Sequence, residues 1–213
     1  MTSTPVAIIG AGGHGREALD ILLAMVDAGS PYTFAGVYDD GLEAGMEAFP
    51  GGPRIEGGTD LLAARGLHYA IGIGNHHVRE LLLTKLGAER TVDLIHPTAQ
   101  CGTGFKHGPG LIMAQYSVAT HSVSVGTSVH VNIGCTISHD AVIGDYVTIT
   151  PGVNISGSVT VGDHVWLGVG CTVINNVTIG AHTVVGAGAT VVNDLQGGST
   201  YVGTPARRNS RSE

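Results

Sequence analysis

A glycine-rich segment near the start of the chain is the first group of residues whose spacing suggests a chemical role. Residues 10–15 read Gly-Ala-Gly-Gly-His-Gly, which fits G-x-G-x-x-G between an apolar segment, Val6–Ile9, and the helical spacing of Arg16–Val26. Glycines at such a turn let the main chain approach a pyrophosphate, and the N-terminus of the following helix supplies positive potential. The segment therefore predicts a phosphate-binding turn.

An acidic pair follows the next apolar segment. Phe34–Tyr38 ends at Asp39-Asp40, close to where an acid that hydrogen-bonds a ribose or a base would stand. Three interpretations are open: a dinucleotide cofactor such as NAD, a single sugar nucleotide, or a tight turn beside a solvated acidic pair. A domain of under about 100 residues is short for a full dinucleotide-binding fold, so we favour a sugar nucleotide.

Short strands and helices alternate over the first 95 residues, which predicts a small parallel α/β sheet. Strands are expected at Val6–Ile9, Phe34–Tyr38, Tyr69–Ile73 and Val92–Ile95, helices at Arg16–Val26, Asp60–Arg65 and Val78–Leu86, and a Gly/Pro-rich surface loop at Gly41–Gly58. We expect two domains, 1–95 and 96–213, with the second beginning after His96-Pro97.

Aliphatic residues recur at every sixth position in the second domain. The unbroken series is Val125, Val131, Ile137, Ile143, Ile149, Ile155, Val161, Leu167, Val173, Ile179, Val185 and Val191. A helix repeats about every 3.6 residues and a flat sheet face about every 2, so neither explains this period. A six-residue period is typical of a β-solenoid, in which each hexapeptide gives one short strand and one corner.

If the coils stack, the sequence predicts which residues of adjacent coils are neighbours. Three hexapeptides per coil would give four coils, with residues 18 apart stacked at a spacing of roughly 4.8 Å. His121 then lies beneath His139, and His164 pairs with His182. Two of the three cysteines, Cys135 and Cys171, point into the solenoid two coils apart, too far for a disulfide.

Composition excludes several classes of protein. The chain has 34 glycines among 213 residues, 13% charged residues and a net charge of −7, which argues against nucleic acid or anionic membranes as partners. The three cysteines do not suggest a secreted disulfide scaffold, and Met1 to Pro5 does not lead into a signal segment. We expect a cytoplasmic protein without a membrane span.

Four segments together resemble the nucleotide-sugar N-acetyltransferases related to sialic acid O-acetyltransferases. They are the Gly10–Gly15 turn, Tyr38-Asp39-Asp40, His96-Pro97-Thr98-Ala99, and the solenoid carrying Asn132 and His139-Asp140. The resemblance covers nearly the whole chain. It implies a Rossmann-like α/β domain that binds the nucleotide sugar, followed by a left-handed parallel β-helix of triangular coils. It also implies a homotrimer, with acetyl-CoA held between neighbouring solenoids.

The resemblance implies the residues of the site as well. The family's catalytic residues correspond to His139 and Asp140. Its substrate-binding residues correspond to Gly12, Gly13, His14, Asp39, Asp40 and Gly57. Coenzyme binding falls on Asn132, Thr148, Gly157, Val169, Ala187 and Arg207. The segment Tyr201–Arg208 resembles the family's closing segment and would cap the last coil. Trp166, on a flat face, suggests a subunit contact.

Family members acetylate the 4-amino group of a nucleotide-linked dideoxy sugar, as in lipopolysaccharide or O-antigen biosynthesis. An imidazole, whose ordinary pKa is about 6.5, suits removal of a proton from the attacking amine, which would be the role of His139. Asp140 is one carbon shorter than the glutamate common there, which leaves its contact with His139 an open question. Gly157, stacked on His139, would leave a slot for the thioester.

Other interpretations predict different behaviour. An O-acetyltransferase of a sialic-acid-like sugar would prefer a hydroxyl, and a non-enzymatic scaffold would release no thiol from acetyl-CoA. Stacked imidazoles suggest zinc, as in the carbonic anhydrases built on such solenoids. A catalytic zinc commonly takes three protein ligands, however, and no His-x4-His pair with a third ligand is present, so we expect no metal.

Overall fold

The computed structural model of the protein describes residues 3–209. The chain divides into two compact units, Met1–Pro97 and Thr98–Glu213, two residues later than the boundary suggested by the sequence. Among residues 3–209, no helix is both long and apolar enough to cross a bilayer.

The first unit contains a four-stranded parallel sheet with three helices. Its strands are β1 (Thr4–Ile9), β2 (Tyr32–Tyr38), β3 (Ile55–Gly57) and β4 (His68–Ile71), in the order β3-β2-β1-β4. Its helices are α1 (Gly13–Asp27), α2 (Thr59–Arg65) and α3 (His76–Leu86), followed by a 3-10 turn at Ala88–Arg90 and β5 (Leu94–Ile95). The predicted α/β architecture is confirmed.

Local sequence explains where these elements begin and end. The central strand β1 is buried on both faces from Val6 to Ile9, which is why it reads as a continuous apolar run. Helix α2 ends at Gly66, whose φ of 63° suits a residue without a side chain. Helix α3 begins at Asn75, whose Oδ1 accepts hydrogen bonds from the main-chain N–H groups of His77 and Val78 at 3.0 and 3.2 Å.

The loop predicted over Gly41–Gly58 contains a strand that the sequence analysis missed. Strand β3 has only three residues, and its middle residue, Glu56, is charged and exposed. So short a segment between Pro53 and two glycines carries no clear periodicity. It nevertheless pairs with β2 and covers the edge of the sheet.

The second unit is a parallel β-helix of two-residue strands. These are β6 (Gln100–Cys101), β7 (Lys106–His107), β8 (Ile112–Met113), β9 (Val118–Ala119), β10 (Ser124–Val125), β11 (His130–Val131), β12 (Thr136–Ile137), β13 (Val142–Ile143), β14 (Thr148–Ile149), β15 (Asn154–Ile155), β16 (Thr160–Val161), β17 (Trp166–Leu167), β18 (Thr172–Val173), β19 (Thr178–Ile179), β20 (Val184–Val185) and β21 (Thr190–Val191). Partners along each of three faces are 18 residues apart, as in Thr136 with Asn154.

The six-residue period is confirmed as the basis of this fold, because all twelve members of the aliphatic series are buried. The solenoid extends ahead of the twelve-member series, towards the predicted start after His96-Pro97. Strands β6 to β9 precede the series; Met113 and Ala119 are buried in the same six-residue phase, whereas the residues of β6 and β7 are exposed. At the other end β22 (Thr200–Val202) pairs with β20, and β23 (Arg207–Arg208) pairs antiparallel with β22. The C-terminal cap is thus present.

Left-handed backbone marks every corner of the solenoid. One residue in six has a positive φ, from Gly104 through Asp140, at 60°, to Gly188. At one corner four successive coils place glycines in this conformation: Gly134, Gly152, Gly170 and Gly188. Glycine adopts it without the steric cost that a side chain imposes, which accounts for part of the glycine content.

Candidate functional site

In the turn between β1 and α1, some glycines pack closely against neighbouring main chain and others are exposed to solvent. A Cβ added at Gly15 would overlap the carbonyl of Gly10, and one added at Gly72 would lie 2.6 Å from the Cα of Gly15. These three glycines let α1 and the end of β4 approach β1. Gly12 and Gly13 are instead exposed, and among the described atoms none lies within 4 Å of a Cβ added at Gly12.

The N-terminus of α1 has the properties of an anion site. Its N-cap is Gly12, which has no side chain to bind the first N–H groups of the helix. His14, in the first turn, is largely buried and places Nδ1 3.2 Å from Oε2 of Glu17. Burial lowers the pKa of His14, while the nearby carboxylate of Glu17 opposes that shift.

The acidic pair is held by main-chain donors. Asp39 accepts hydrogen bonds from the N–H groups of Ala11 (2.9 Å) and Gly41 (2.8 Å), so it joins the glycine turn to the end of β2. Asp40 accepts from the N–H of Thr59 at 2.6 Å and from its hydroxyl at 2.8 Å. Asp40 therefore also stabilises the N-terminus of α2.

A cavity of about 150 Å³ opens at the carboxyl ends of these strands, where ligands of parallel α/β sheets bind. Its polar lining includes Asp39, Asp40 and Thr59, and its apolar wall includes Ile73 and Leu82. Such a cavity suits a flat ring that has N–H donors at its edge.

The six predicted substrate residues occupy three places in the first unit. Asp39 and Asp40 line the cavity, beside Gly10. Gly12, Gly13 and His14 lie at the start of α1, where Gly12 is the N-cap. Gly57 lies at the end of β3, and its carbonyl accepts the N–H of Asp39 at 3.0 Å. The structure thus assigns Gly57 a main-chain role in holding the acidic pair.

Arg79 is a residue near this site that the sequence analysis missed. Its side chain, on α3, has no exposed surface, and Nη1 donates to the carbonyl oxygens of Gly74 (2.7 Å) and Ile73 (3.4 Å). An arginine within an amphipathic helix ordinarily indicates the solvent face. Only the unusual Gly-Ile-Gly-Asn segment at 72–75, which needs its carbonyls satisfied, could have signalled a buried donor.

In the solenoid, His139 and Asp140 form an ion pair or hydrogen bond at an exposed corner. Nδ1 of His139 lies 2.9 Å from Oδ2 of Asp140, which answers the question raised by the shorter acid. The two side chains are 64% and 61% exposed, so both are accessible to solvent. Asp140 makes this contact from a left-handed backbone conformation that aspartate tolerates better than most residues.

Gly157 lies against the imidazole rather than beside an empty slot. A Cβ added there would come within 2.5 Å of Cε1 and 2.6 Å of Nε2 of His139. The expectation that this space would admit a thioester is wrong in this structure, because the ring itself occupies it. The glycine is required for the position of the histidine.

The other predicted coenzyme residues occupy several places along the solenoid. Asn132 is at a corner, where its Oδ1 accepts the N–H of Ile133 at 2.6 Å. Val169, which is 55% exposed, and Ala187 stack at that same corner beside its glycines. Thr148 is buried on β14, and Arg207 is exposed on β23. The structure therefore gathers three of these residues along one edge.

A second corner carries stacked rings. His164 and His182 stack with centroids 4.8 Å apart and planes 6° apart, which confirms the predicted pair. Tyr146 extends the stack, 5.2 Å from His164. The 18-residue rule applied to Tyr146 would have found it. All three have left-handed backbone, so the corner geometry aligns the rings.

Solved structures of known function share this fold over nearly the whole chain. PerB from Caulobacter crescentus, solved with CoA and GDP-perosamine, is 31% identical, and the match covers 97% of each chain with a TM-score of 0.86. The chain belongs to the hexapeptide-repeat nucleotide-sugar N-acetyltransferases. The acetyltransferase domain of PglB from Neisseria gonorrhoeae FA1090, solved with acetyl coenzyme A, is 28% identical, covering 97% of this chain and 100% of that one, with a TM-score of 0.85.

Sequence families agree with this membership. Residues 5–86 match the PglD N-terminal domain, and residues 158–193 match the bacterial transferase hexapeptide (six repeats). UDP-N-acetylbacillosamine N-acetyltransferase of Bacillus subtilis (strain 168) is 32% identical over 113 residues. That match covers 51% of this chain and 50% of that protein, so the chain spans about half the length of this curated relative. The family expected from the sequence is confirmed.

Proposed function

We propose that the protein transfers the acetyl group of acetyl-CoA to the 4-amino group of a nucleotide-linked 4-amino-4,6-dideoxy sugar. The observation that carries this proposal is the 2.9 Å contact between Nδ1 of His139 and the carboxylate of Asp140. This contact fixes the ring and directs Nε2 away from the acid, where it can accept a proton. The relatives solved with CoA and an amino-sugar nucleotide support the choice of substrates.

The proposed reaction needs no covalent enzyme intermediate. The neutral sugar amine attacks the thioester carbonyl carbon, and Nε2 of His139 takes the proton of the amine as the C–N bond forms. The C–S bond then breaks, and the thiolate of CoA leaves and takes up that proton from the imidazolium. Because a thioester is already activated, orientation and one general base suffice.

The nucleotide part of the substrate is assigned to the first unit. We place the diphosphate at Gly12, Gly13 and His14, and the base in the cavity that Asp39 and Asp40 line. Acetyl-CoA is assigned to the edge that carries Asn132, Val169 and Ala187, with the exposed Arg207 and the main chain of Gly157, whereas the side chain of Thr148 is buried and is left out of this assignment. This assignment follows the family resemblance.

A homotrimer is part of the proposal. His139 and Asp140 lie at a corner that is mostly exposed in a single chain, and acetyl transfer benefits from exclusion of water. A neighbouring solenoid packed along this corner would cover it, as the family resemblance implies. Analytical ultracentrifugation of the purified protein should give three times the mass of the chain, and a monomer that is active would contradict this arrangement.

A thiol-release assay tests the proposed activity. Acetyl-CoA is offered with 4-amino-4,6-dideoxy sugars linked to GDP, UDP and dTDP, and with matched hydroxy sugars. We expect release of CoA with at least one amino sugar and a loss of about 10²-fold or more in His139→Asn. Preference for hydroxy sugars would instead favour O-acetylation, and no release with any acceptor would overturn the proposal. Cys101→Ser lowers the background, because Cys101 is the exposed cysteine, whereas Cys135 and Cys171 are buried.

A further inference from the structure

The buried guanidinium of Arg79 lies beside the cavity, on the helix that forms its apolar wall. Val78 and Leu82 of α3 line the cavity, while Arg79 lies between them in sequence and is fully buried. Burying a charged group costs several kcal/mol unless hydrogen bonds and charges compensate it. A chain retains such a group where its hydrogen bonds or its charge are needed.

The hydrogen bonds of Arg79 hold the turn that follows β4. Nη1 donates to the carbonyl oxygens of Gly74 and Ile73, at 2.7 and 3.4 Å. Ile73 contributes to the wall of the cavity. Gly72, one residue earlier, abuts Gly15 of the glycine turn so closely that an added Cβ would lie 2.6 Å from the Cα of Gly15. Arg79 therefore fixes the segment against which the start of α1 packs.

The charge of Arg79 also acts at the glycine turn. Burial is the main cause of the lowered pKa of His14 and the carboxylate of Glu17 opposes it, while the positive charge of Arg79 is the smallest contribution and acts in the same direction as burial. The geometric link between the two is the turn after β4, because Arg79 binds the carbonyls of Ile73 and Gly74 and the adjoining Gly72 packs against Gly15 in the first turn of α1. A diphosphate bound at the first turn of α1 would be attracted by the positive charge of Arg79.

We propose that Arg79 is a positioning residue of the nucleotide-sugar site, which fixes the turn after β4 and supplies a permanent positive charge behind the diphosphate. This inference rests on the proposed function, since it requires a nucleotide diphosphate at the glycine turn. Arg79 does not touch the reacting atoms. Its contribution is expected in the binding of the nucleotide and not in the step at His139.

Two substitutions separate the charge of Arg79 from its hydrogen bonds. Arg79→Lys keeps the charge, and Arg79→Gln keeps an N–H donor that can reach a carbonyl oxygen but removes the charge. Dissociation constants are measured by calorimetry or NMR titration for UDP, GDP and dTDP, and for uridine, guanosine and thymidine, which lack the diphosphate. The Michaelis constant for acetyl-CoA is measured in parallel, and circular dichroism checks the fold of each variant.

We expect Arg79→Gln to bind UDP, GDP or dTDP about tenfold more weakly, with nucleoside binding and the Michaelis constant for acetyl-CoA within about twofold of wild type. Arg79→Lys should bind the diphosphates within about threefold of wild type. Equal losses for nucleosides and diphosphates, or unchanged diphosphate binding, would overturn the proposal. If Arg79→Gln does not fold, Arg79→Lys decides alone, because a tenfold loss there would show that charge is not the cause.

The same experiment tells this inference apart from the proposed function. If the wild-type protein binds none of UDP, GDP and dTDP, the nucleotide site itself is wrong. If it binds one of them and acetylates the matching amino sugar, the proposed function stands. The comparison between the two Arg79 variants then tests the positioning role by itself.

Discussion

The imidazole of His139 rests on the main chain of Gly157, one coil away, so closely that no side chain fits between them. A Cβ at Gly157 would lie 2.5 Å from Cε1 and 3.0 Å from Nδ1 of His139. The ring is thereby confined between Asp140, at 2.9 Å, and the neighbouring coil. Two contacts from different coils fix an otherwise exposed side chain, which is the kind of orientation that a general base needs.

Gly157→Ala should displace the ring while leaving the fold intact. The added methyl group meets an exposed side chain that can rotate away, so we expect the free energy of unfolding to change by less than about 1 kcal/mol. Misplacement of a catalytic group by about 1 Å can cost 10²-fold in rate, and we expect a loss of kcat of that order. Steady-state kinetics measure the effect. Asn175→Ala, one coil farther along the same corner, is the control, and wild-type kcat in Gly157→Ala would contradict this role.

Asp140→Asn tests the carboxylate without straining the corner. Asparagine tolerates the φ of 60° at this position, so the variant should fold like wild type. The amide replaces the carboxylate that orients the ring at 2.9 Å, and we expect kcat to fall about tenfold or more. Asp163→Asn is the matched control. Its carboxylate accepts the N–H of Asp145 at 2.8 Å, so its replacement should leave kcat unchanged.

The sequence predicted the solenoid better than the site because the two depend on different information. Burial at every sixth residue is a property of the pattern itself, and it located the stacked partners of His139 and His164. The direction in which a ring turns is set by packing in three dimensions, so the space above Gly157 was assigned to the thioester instead of the imidazole.

In the N-terminal unit, too, the sequence predicted the periodic elements but not the features that depend on packing. Long periodic elements such as α1 were predicted to within a few residues, whereas β3 was lost in a loop because three residues cannot show a period. Arg79 was overlooked because a charged residue in a helix indicates exposure unless its partners are known. Two of its partners are main-chain carbonyls of the turn after β4, and the Gly-Ile-Gly-Asn segment at 72–75 is the sign of that turn in the sequence.

His14 should make stability depend on pH. Burial lowers its pKa below the ordinary 6.5, so the unfolded chain takes up the proton more readily than the folded one. The folded state therefore loses stability as the pH falls from about 6.5 towards the folded pKa, and keeps it above that window. Urea unfolding at pH 7.5 and 5.5 should show a smaller loss on acidification in His14→Gln than in wild type. The exposed His121 provides the control, because His121→Gln should retain the wild-type difference.

Gly13 belongs to the proposed diphosphate site, and Gly15 follows it two residues later on α1. Replacement of these two glycines by alanine should have opposite effects on the stability of the first unit. A methyl group at Gly15 would overlap the carbonyl of Gly10, so Gly15→Ala should destabilise the first unit by at least about 3 kcal/mol. A methyl group at Gly13 would meet only Nη2 of Arg16, at 3.8 Å, among atoms of residues 3–209. Because alanine is the better helix former, Gly13→Ala should keep or raise stability by up to about 1 kcal/mol.

Helical circular dichroism during urea unfolding measures this contrast, because the α-helices of the described residues all lie in the first unit. Equilibrium binding of UDP and GDP is then measured for Gly13→Ala and for the wild-type protein. Gly13→Ala should weaken binding of the diphosphate by restricting its approach to the main chain, although the protein remains folded. If Gly13→Ala bound both nucleotides like wild type, the open side of the glycine turn would not be the diphosphate site. If Gly15→Ala were as stable as wild type, the close contact between α1 and β1 would have to relax in solution.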